Sequence, residues 1–210
     1  MSMTYSAKEE KANAISHGFG IVLSLAALVL LVVIACQEGN GWHIVSFSIF
    51  GSALLLLYTC STLLHAFQTP RVKDVFEVLD HAAIYVLIAG SYTPYLLVTL
   101  RGALGWTYFG VIWGLAILGI VLKVYYVKRF VLVSTLCYIL MGWLIVAAFK
   151  PLYENLALGG IVWLVAGGLL YTFGSIFYVW RRIPYHHAIW HVFVLAGSAC
   201  HFISVFGYVR

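Results

Sequence analysis

Seven near-continuous apolar stretches, each close to the length of a membrane crossing, constrain this chain more than any other feature. They cover roughly 18–36, 44–66, 78–98, 104–123, 131–149, 159–179 and 186–208. A helix needs about 20 apolar residues to cross a hydrocarbon core of about 30 Å. Only 9% of the residues are charged, against about 25% in a soluble domain, and short connections hold most of them. The expected fold is therefore an all-α polytopic membrane protein with seven transmembrane helices. Residues 1–210 form one such domain in this reading, with 1–17 as its N-terminal segment outside the membrane. The first stretch is too long for a signal peptide, follows the acidic pair Glu9 and Glu10, and precedes no small-residue cleavage site. It reads as a retained first span.

The distribution of Lys and Arg sets an orientation. Alternate connections, counted from the N-terminus, carry Lys8, Lys11, Arg71, Lys73, Lys123, Lys128, Arg129, Arg181 and Arg182. The other set carries only Arg101, Lys150 and Arg210. The positive-inside rule places the N-terminus in the cytoplasm and the C-terminus outside. The net charge of +5 is then a topology signal. The basic residues form no dense patch, so nucleic acid is not an expected partner. Membrane lipids are, in a multi-pass membrane protein.

Some features read as structural. Cys36, Cys60, Cys137 and Cys200 include no Cys-x-x-Cys pair and suit small apolar packing positions. Pro94 should kink the third helix. Ala12, Ser16, Gly20 and Ser24, and separately Gly110 and Gly114, form small-residue stripes that allow close helix approach within the bundle or between subunits.

The candidate chemistry lies in a few polar groups at a shared depth. His187 and His191 are four residues apart at the start of the seventh stretch, so they share a helix face. His65 ends the second stretch and Asp80 opens the third. With alternating crossings, all four fall in the cytoplasmic leaflet, and Ser61 lies one turn deeper than His65. Ionisable groups inside a bilayer are functional candidates by default, and Asp80 reads as the one carboxylate buried beyond a helix end. Three imidazoles bind Zn²⁺ well and favour it over calcium or magnesium. Asp80 could be a fourth ligand or the base for a water, and Ser61 could hydrogen-bond that water or a developing oxyanion. The stripe Glu9, Asn13, His17 reads more readily as a solvated first turn than as a polar layer beneath the site. His81 and His186 point about 100° away from their better-placed neighbours. His201 is about 15 Å beyond His191 along a helix, so it should bond a neighbouring helix instead. His43 lies on the opposite side.

Taken together, these residues resemble the hemolysin III branch of the progestin and adipoQ receptor family. The resemblance rests on Glu9-x-x-x-Asn13-x-x-Ser16-His17-Gly18, Ser61-x-x-x-His65, Leu79-Asp80-His81-x-x-Ile84-Tyr85 continuing to Gly90-Ser91-Tyr92-x-Pro94, and His187-x-x-x-His191-x-x-x-x-Ala196-Gly197. It spans nearly the whole chain, and the compact form looks bacterial. It implies seven helices with the N-terminus inside and a zinc site held by His65, His187 and His191, with Asp80 and Ser61 beside it. Because the wider superfamily includes alkaline ceramidases, it also implies hydrolysis of a lipid amide or ester in membrane lipid homeostasis. Two further readings stand beside that one: a non-enzymatic sensor or regulator of membrane state with structural zinc, and a haemolysin-like pore. The sequence disfavours the pore, since a secreted pore former must first be soluble and no run of charges lines a path. Transport has thinner support still, with one buried acid and no pair of broken helices.

Overall fold

The computed structural model describes residues 5–127 and 129–210. Lys128, counted in the charge asymmetry, lies outside them, as do residues 1–4. Among the described residues there are seven helices long and apolar enough to span a membrane: α1 Ala7–Glu38, α2 Gly41–Ala66, α3 Pro70–Thr99, α4 Ala103–Tyr126, α5 Val131–Asn155, α6 Leu158–Val179 and α7 His186–Tyr208. No strand occurs among them. Up-and-down alternation gathers the starts of α1, α3, α5 and α7 and the ends of α2, α4 and α6 at one end, called here the N-terminal end.

The first helix begins well before its apolar window. Ser6 caps it: the Glu9 backbone N–H donates to Ser6 Oγ at 3.3 Å, and the Ser6 N–H donates to the Glu9 carboxylate at 3.0 Å. This reciprocal pair is a capping box. A helix of 32 residues is about 48 Å long, so its first turns extend past a hydrocarbon core of about 30 Å. Residues 7–17 are therefore helical, and the side of that helix carrying Glu10, Asn13 and His17 is buried. The solvated first turn expected from sequence is absent. Its exposed side carries Ala7, Lys8 and Lys11.

Helices α1, α2, α3 and α7 pack closely. A Cβ on Gly20 would fall 2.7 Å from the Tyr58 ring, and one on Gly90 would fall 2.7 Å from the Ala53 Cβ. These contacts require glycine, as the first small-residue stripe suggested. The second stripe differs: Gly110 and Gly114 face away from the bundle, with nothing within 4 Å of either. Leu, Val, Ile and Phe cover the outer faces of the helices, which suits lipid contact rather than water.

Two helices depart from regular geometry. In α3 the expected disturbance at Pro94 takes the form of a π-helical turn over Tyr95–Thr99. A proline removes one backbone donor and crowds the preceding turn, and here the wider turn follows it directly, with the Leu100 N–H donating to Tyr95 O at 2.7 Å. In α5 the chain narrows to a 3₁₀ helix over Trp143–Ala148. There the Tyr92 hydroxyl donates to Gly142 O at 2.6 Å and accepts from the Ile145 N–H at 2.9 Å, satisfying backbone groups that the break frees.

Candidate metal centre

Near the N-terminal end, α2 and α7 bring His65, His187 and His191 together. Each is buried, and each offers a nitrogen within 4.8 Å of the others. Their ring centroids are 4.5 to 5.3 Å apart. The i, i+4 spacing on α7 stacks two rings on one face, and the last turn of α2 delivers the third.

The first helix orients two of these rings. His65 Nδ1 donates to Glu10 Oε2 at 2.6 Å, which leaves its Nε2 as a lone pair. The other oxygen of Glu10 pairs with the Lys73 ammonium. His191 Nδ1 faces the Asn13 carbonyl at 3.2 Å and Ser16 Oγ at 2.9 Å. The carbonyl can only accept, so Nδ1 donates and Nε2 is free. An acceptor bound to one imidazole nitrogen fixes the tautomer that presents the other to a metal.

The surrounding polar atoms test whether a metal fits. Among the described residues, seven buried side-chain nitrogen or oxygen atoms lack a hydrogen-bond partner, and five of them belong to Asn13, His17, His65 and His187. Native structures satisfy nearly all such atoms, so their concentration here marks a place built around a polar guest. Two buried carboxylates, Glu10 and Asp80, also flank a cluster of imidazoles. Lys73 already offsets the charge of Glu10, and a divalent cation among neutral imidazoles would offset that of Asp80. The group can thus hold a metal ion.

Asp80 and Ser61 line one cavity of about 120 Å³ together with His187 and His191. Asp80 does not join the close group of metal-donor nitrogens. The cavity extends from the histidines into the bundle along Leu57, Ile84, Leu87 and Ile88, and among the described residues Asp80 is the only Asp, Glu, Lys or Arg on its wall.

The chain is similar to known proteins over nearly its whole length. A family model described as "Haemolysin-III related" matches residues 5–202. The chain belongs to the haemolysin-III-related family. It is 55% identical over 207 residues to "Hemolysin-3" of Bacillus cereus, covering 99% of this chain and 94% of that one. It is 54% identical over 204 residues to "Hemolysin-3 homolog" of Bacillus subtilis (strain 168), covering 97% and 96%. The human "Monocyte to macrophage differentiation factor" is 29% identical over 210 residues, covering 96% and 84%. With its seven apolar helices, this family member is a multi-pass membrane protein, as the sequence suggested.

Within this haemolysin-III-related chain the remaining histidines sort as follows. His201 Nε2 donates to Leu164 O on α6 at 3.2 Å, the interhelical bond expected of it. His81 bonds Glu77 O at 2.8 Å and Tyr178 Oη at 3.0 Å, and His186 bonds Phe177 O at 2.9 Å. His43 closes the capping box of α2 at the far end. Two sequence expectations need correction. Asp80 is not the one deep carboxylate, because Glu10 is also buried. Glu10, rather than Glu9, continues the buried stripe through Asn13 and His17, whereas Glu9 accepts from the Tyr185 N–H at 3.1 Å and ties the start of α1 to that of α7. The capping signal Ser6-x-x-Glu9 could have revealed this. Starting the helix at residue 7 puts 10, 13, 17, 20 and 24 on one face.

Proposed function

We propose that this protein is a zinc-dependent hydrolase of membrane lipid amides or esters, with a role in membrane lipid homeostasis. One observation carries the reading: two of the three imidazoles that can hold a metal, His187 and His191, line an apolar cavity together with a carboxylate, Asp80, and a hydroxyl, Ser61. A His-only donor set favours zinc, and three protein ligands leave a fourth position for chemistry. The cavity's apolar wall suits an acyl chain, which a bilayer supplies. With the N-terminus in the cytoplasm, the centre lies in the cytoplasmic leaflet of the bacterial inner membrane.

When bound, zinc supplies a Lewis acid that polarises a carbonyl and lowers the pKa of water to about 7. The chain's own residues do the rest. Asp80 takes a proton from the attacking water as its oxygen bonds to the carbonyl carbon. Ser61 donates a hydrogen bond to the developing oxyanion. Asp80 then returns the proton to the departing nitrogen or oxygen as the C–N or C–O bond breaks. Glu10, Asn13 and Ser16 keep His65 and His191 in register throughout.

The test is metal analysis of detergent-purified protein, followed by fatty-acid release from a fluorescent ceramide and a fluorescent phospholipid. The expected result is about one zinc per chain and turnover of one lipid class that ceases in Asp80→Ala. Zinc without turnover of either class would overturn the hydrolase and leave a structural metal in a membrane-state sensor. Liposome leakage that survives His191→Ala would instead support a pore, the activity that the relatives' name "Hemolysin-3" suggests.

A further inference from the structure

A metal centre needs a path by which the ion enters, and here that path must start in water. On one side of the histidines the cavity runs into the bundle along Leu57, Ile84, Leu87 and Ile88, and a charge inside a bilayer is costly. On the other side stands Tyr5. It directly precedes the Ser6 cap of α1, whose first turns extend past the hydrocarbon core, and it is half-buried. Its ring centroid lies 5.1 Å from that of His187 and 6.0 Å from that of His65, two rings that are themselves 5.0 Å apart. The His186 ring is 5.7 Å away. Tyr5 thus covers two of the three candidate ligands, and His65 Nε2 and His187 Nδ1 are buried without a hydrogen-bond partner. Neither Tyr5 nor His65 lines the cavity, so the ring and the cavity flank the centre on different sides.

The neighbouring Glu9 fixes this cover in place. One oxygen of its carboxylate accepts from the Ser6 N–H at 3.0 Å and the Ser6 hydroxyl at 2.8 Å. The other accepts from the Tyr185 N–H at 3.1 Å. A single side chain therefore closes the first turn of α1, beside Tyr5, and pins that turn to the residue preceding α7. Exchanging the Glu9 bonds for bonds to water would free residue 5 without disturbing any imidazole.

We propose that Tyr5 is the gate of the metal centre: its ring closes the water-side entrance over His65 and His187, Glu9 latches it shut, and a divalent cation enters and leaves when the latch opens. This gate rests on the metal in the reading above and not on hydrolysis. A cover that must move aside for passage in either direction slows uptake and release alike and leaves the affinity as it was. A ring that only stabilised bound metal would slow release alone.

Mixing zinc-loaded protein in detergent with excess chromogenic chelator gives the release rate, and equilibrium competition gives Kd. Tyr5→Ala should release zinc about tenfold faster, the fold-change that losing one or two aromatic contacts corresponds to, with Kd unchanged and uptake faster by the same factor. Tyr5→Phe, which keeps the ring, should release at the wild-type rate. Glu9→Ala should behave as Tyr5→Ala does, whereas Glu9→Gln, whose amide oxygen can still accept from the Tyr185 N–H, should stay close to wild type. Unchanged release in Tyr5→Ala, or faster release matched by an equally weaker Kd, overturns the proposal. A second measurement needs no metal. With Cys36, Cys60, Cys137 and Cys200 replaced by serine, the thiol of His187→Cys should react with a charged methanethiosulfonate faster by the same factor once Tyr5→Ala is added. Equal labelling rates overturn the gate. If the protein holds no metal, the metal reading fails, while the thiol labelling still decides whether Tyr5 closes the entrance.

Discussion

The two ends of this bundle differ in how they treat buried polar groups: among the described residues, five of the seven unpartnered atoms lie near the N-terminal end, and only Thr99 Oγ1 and His201 Nδ1 lie toward the other. Toward the C-terminal end of α7, hydroxyls meet in closed pairs. Tyr95 donates to Ser204 Oγ at 2.8 Å, and Ser204 donates to Gly160 O at 2.7 Å. Nearer the middle, Tyr58 donates to Ser198 Oγ at 2.7 Å, and Tyr171 lies 2.8 Å from the same atom. Toward the N-terminal end, ionisable groups crowd together and several nitrogens stay unpartnered. A buried polar group without a partner costs about 1–3 kcal/mol, so a scaffold alone has no reason to collect them. The closed pairs hold helices together, and the open cluster is arranged for something that must come from outside.

Substitutions can break this contrast. The largest effect is expected from His187→Ala/His191→Ala, which should take zinc from about one per chain to almost none by mass spectrometry, because one remaining ligand cannot form a structural or catalytic site. Asp80→Ala should keep its zinc and lose turnover by about 10²–10⁴-fold, the range for a general base. Equal loss of metal in that variant would instead make Asp80 a ligand. Glu10→Gln should weaken zinc binding by about 10–100-fold in a chelator competition, the usual effect of losing a carboxylate that orients a ligating imidazole, while the helical content by circular dichroism is unchanged. At the other end, Tyr95→Phe should lower stability by about 1 kcal/mol in a detergent unfolding titration and leave zinc content as it was. A loss of zinc in Tyr95→Phe would dissolve the distinction between the two ends.

The sequence made one of these ends easier to read than the other. Hydropathy alone located all seven spans, because length and apolarity are what a bilayer selects. The His pair, His65 and Asp80 could be assigned to one depth, because alternating topology follows from counting spans. Glu10 was hidden because an apolar window marks where lipid begins, whereas α1 starts earlier, at a cap. The neighbouring Glu9 fitted an i, i+4 pattern with Asn13 equally well, and only the buried face separates them. The narrowing of α5 at Trp143–Ala148 had no local signal. It depends on the Tyr92 hydroxyl reaching across from α3, and a contact 53 residues away in sequence is invisible to any pattern read along the chain.

The order in which the ribosome delivers these parts has its own consequence. Glu10, Asn13, Ser16 and His17 leave the ribosome well before His187 and His191. A chain stalled or cleaved before its final helix would carry the whole orienting half of the centre and a single ligand. A metal held by this group would therefore be kept only once α7 has been made.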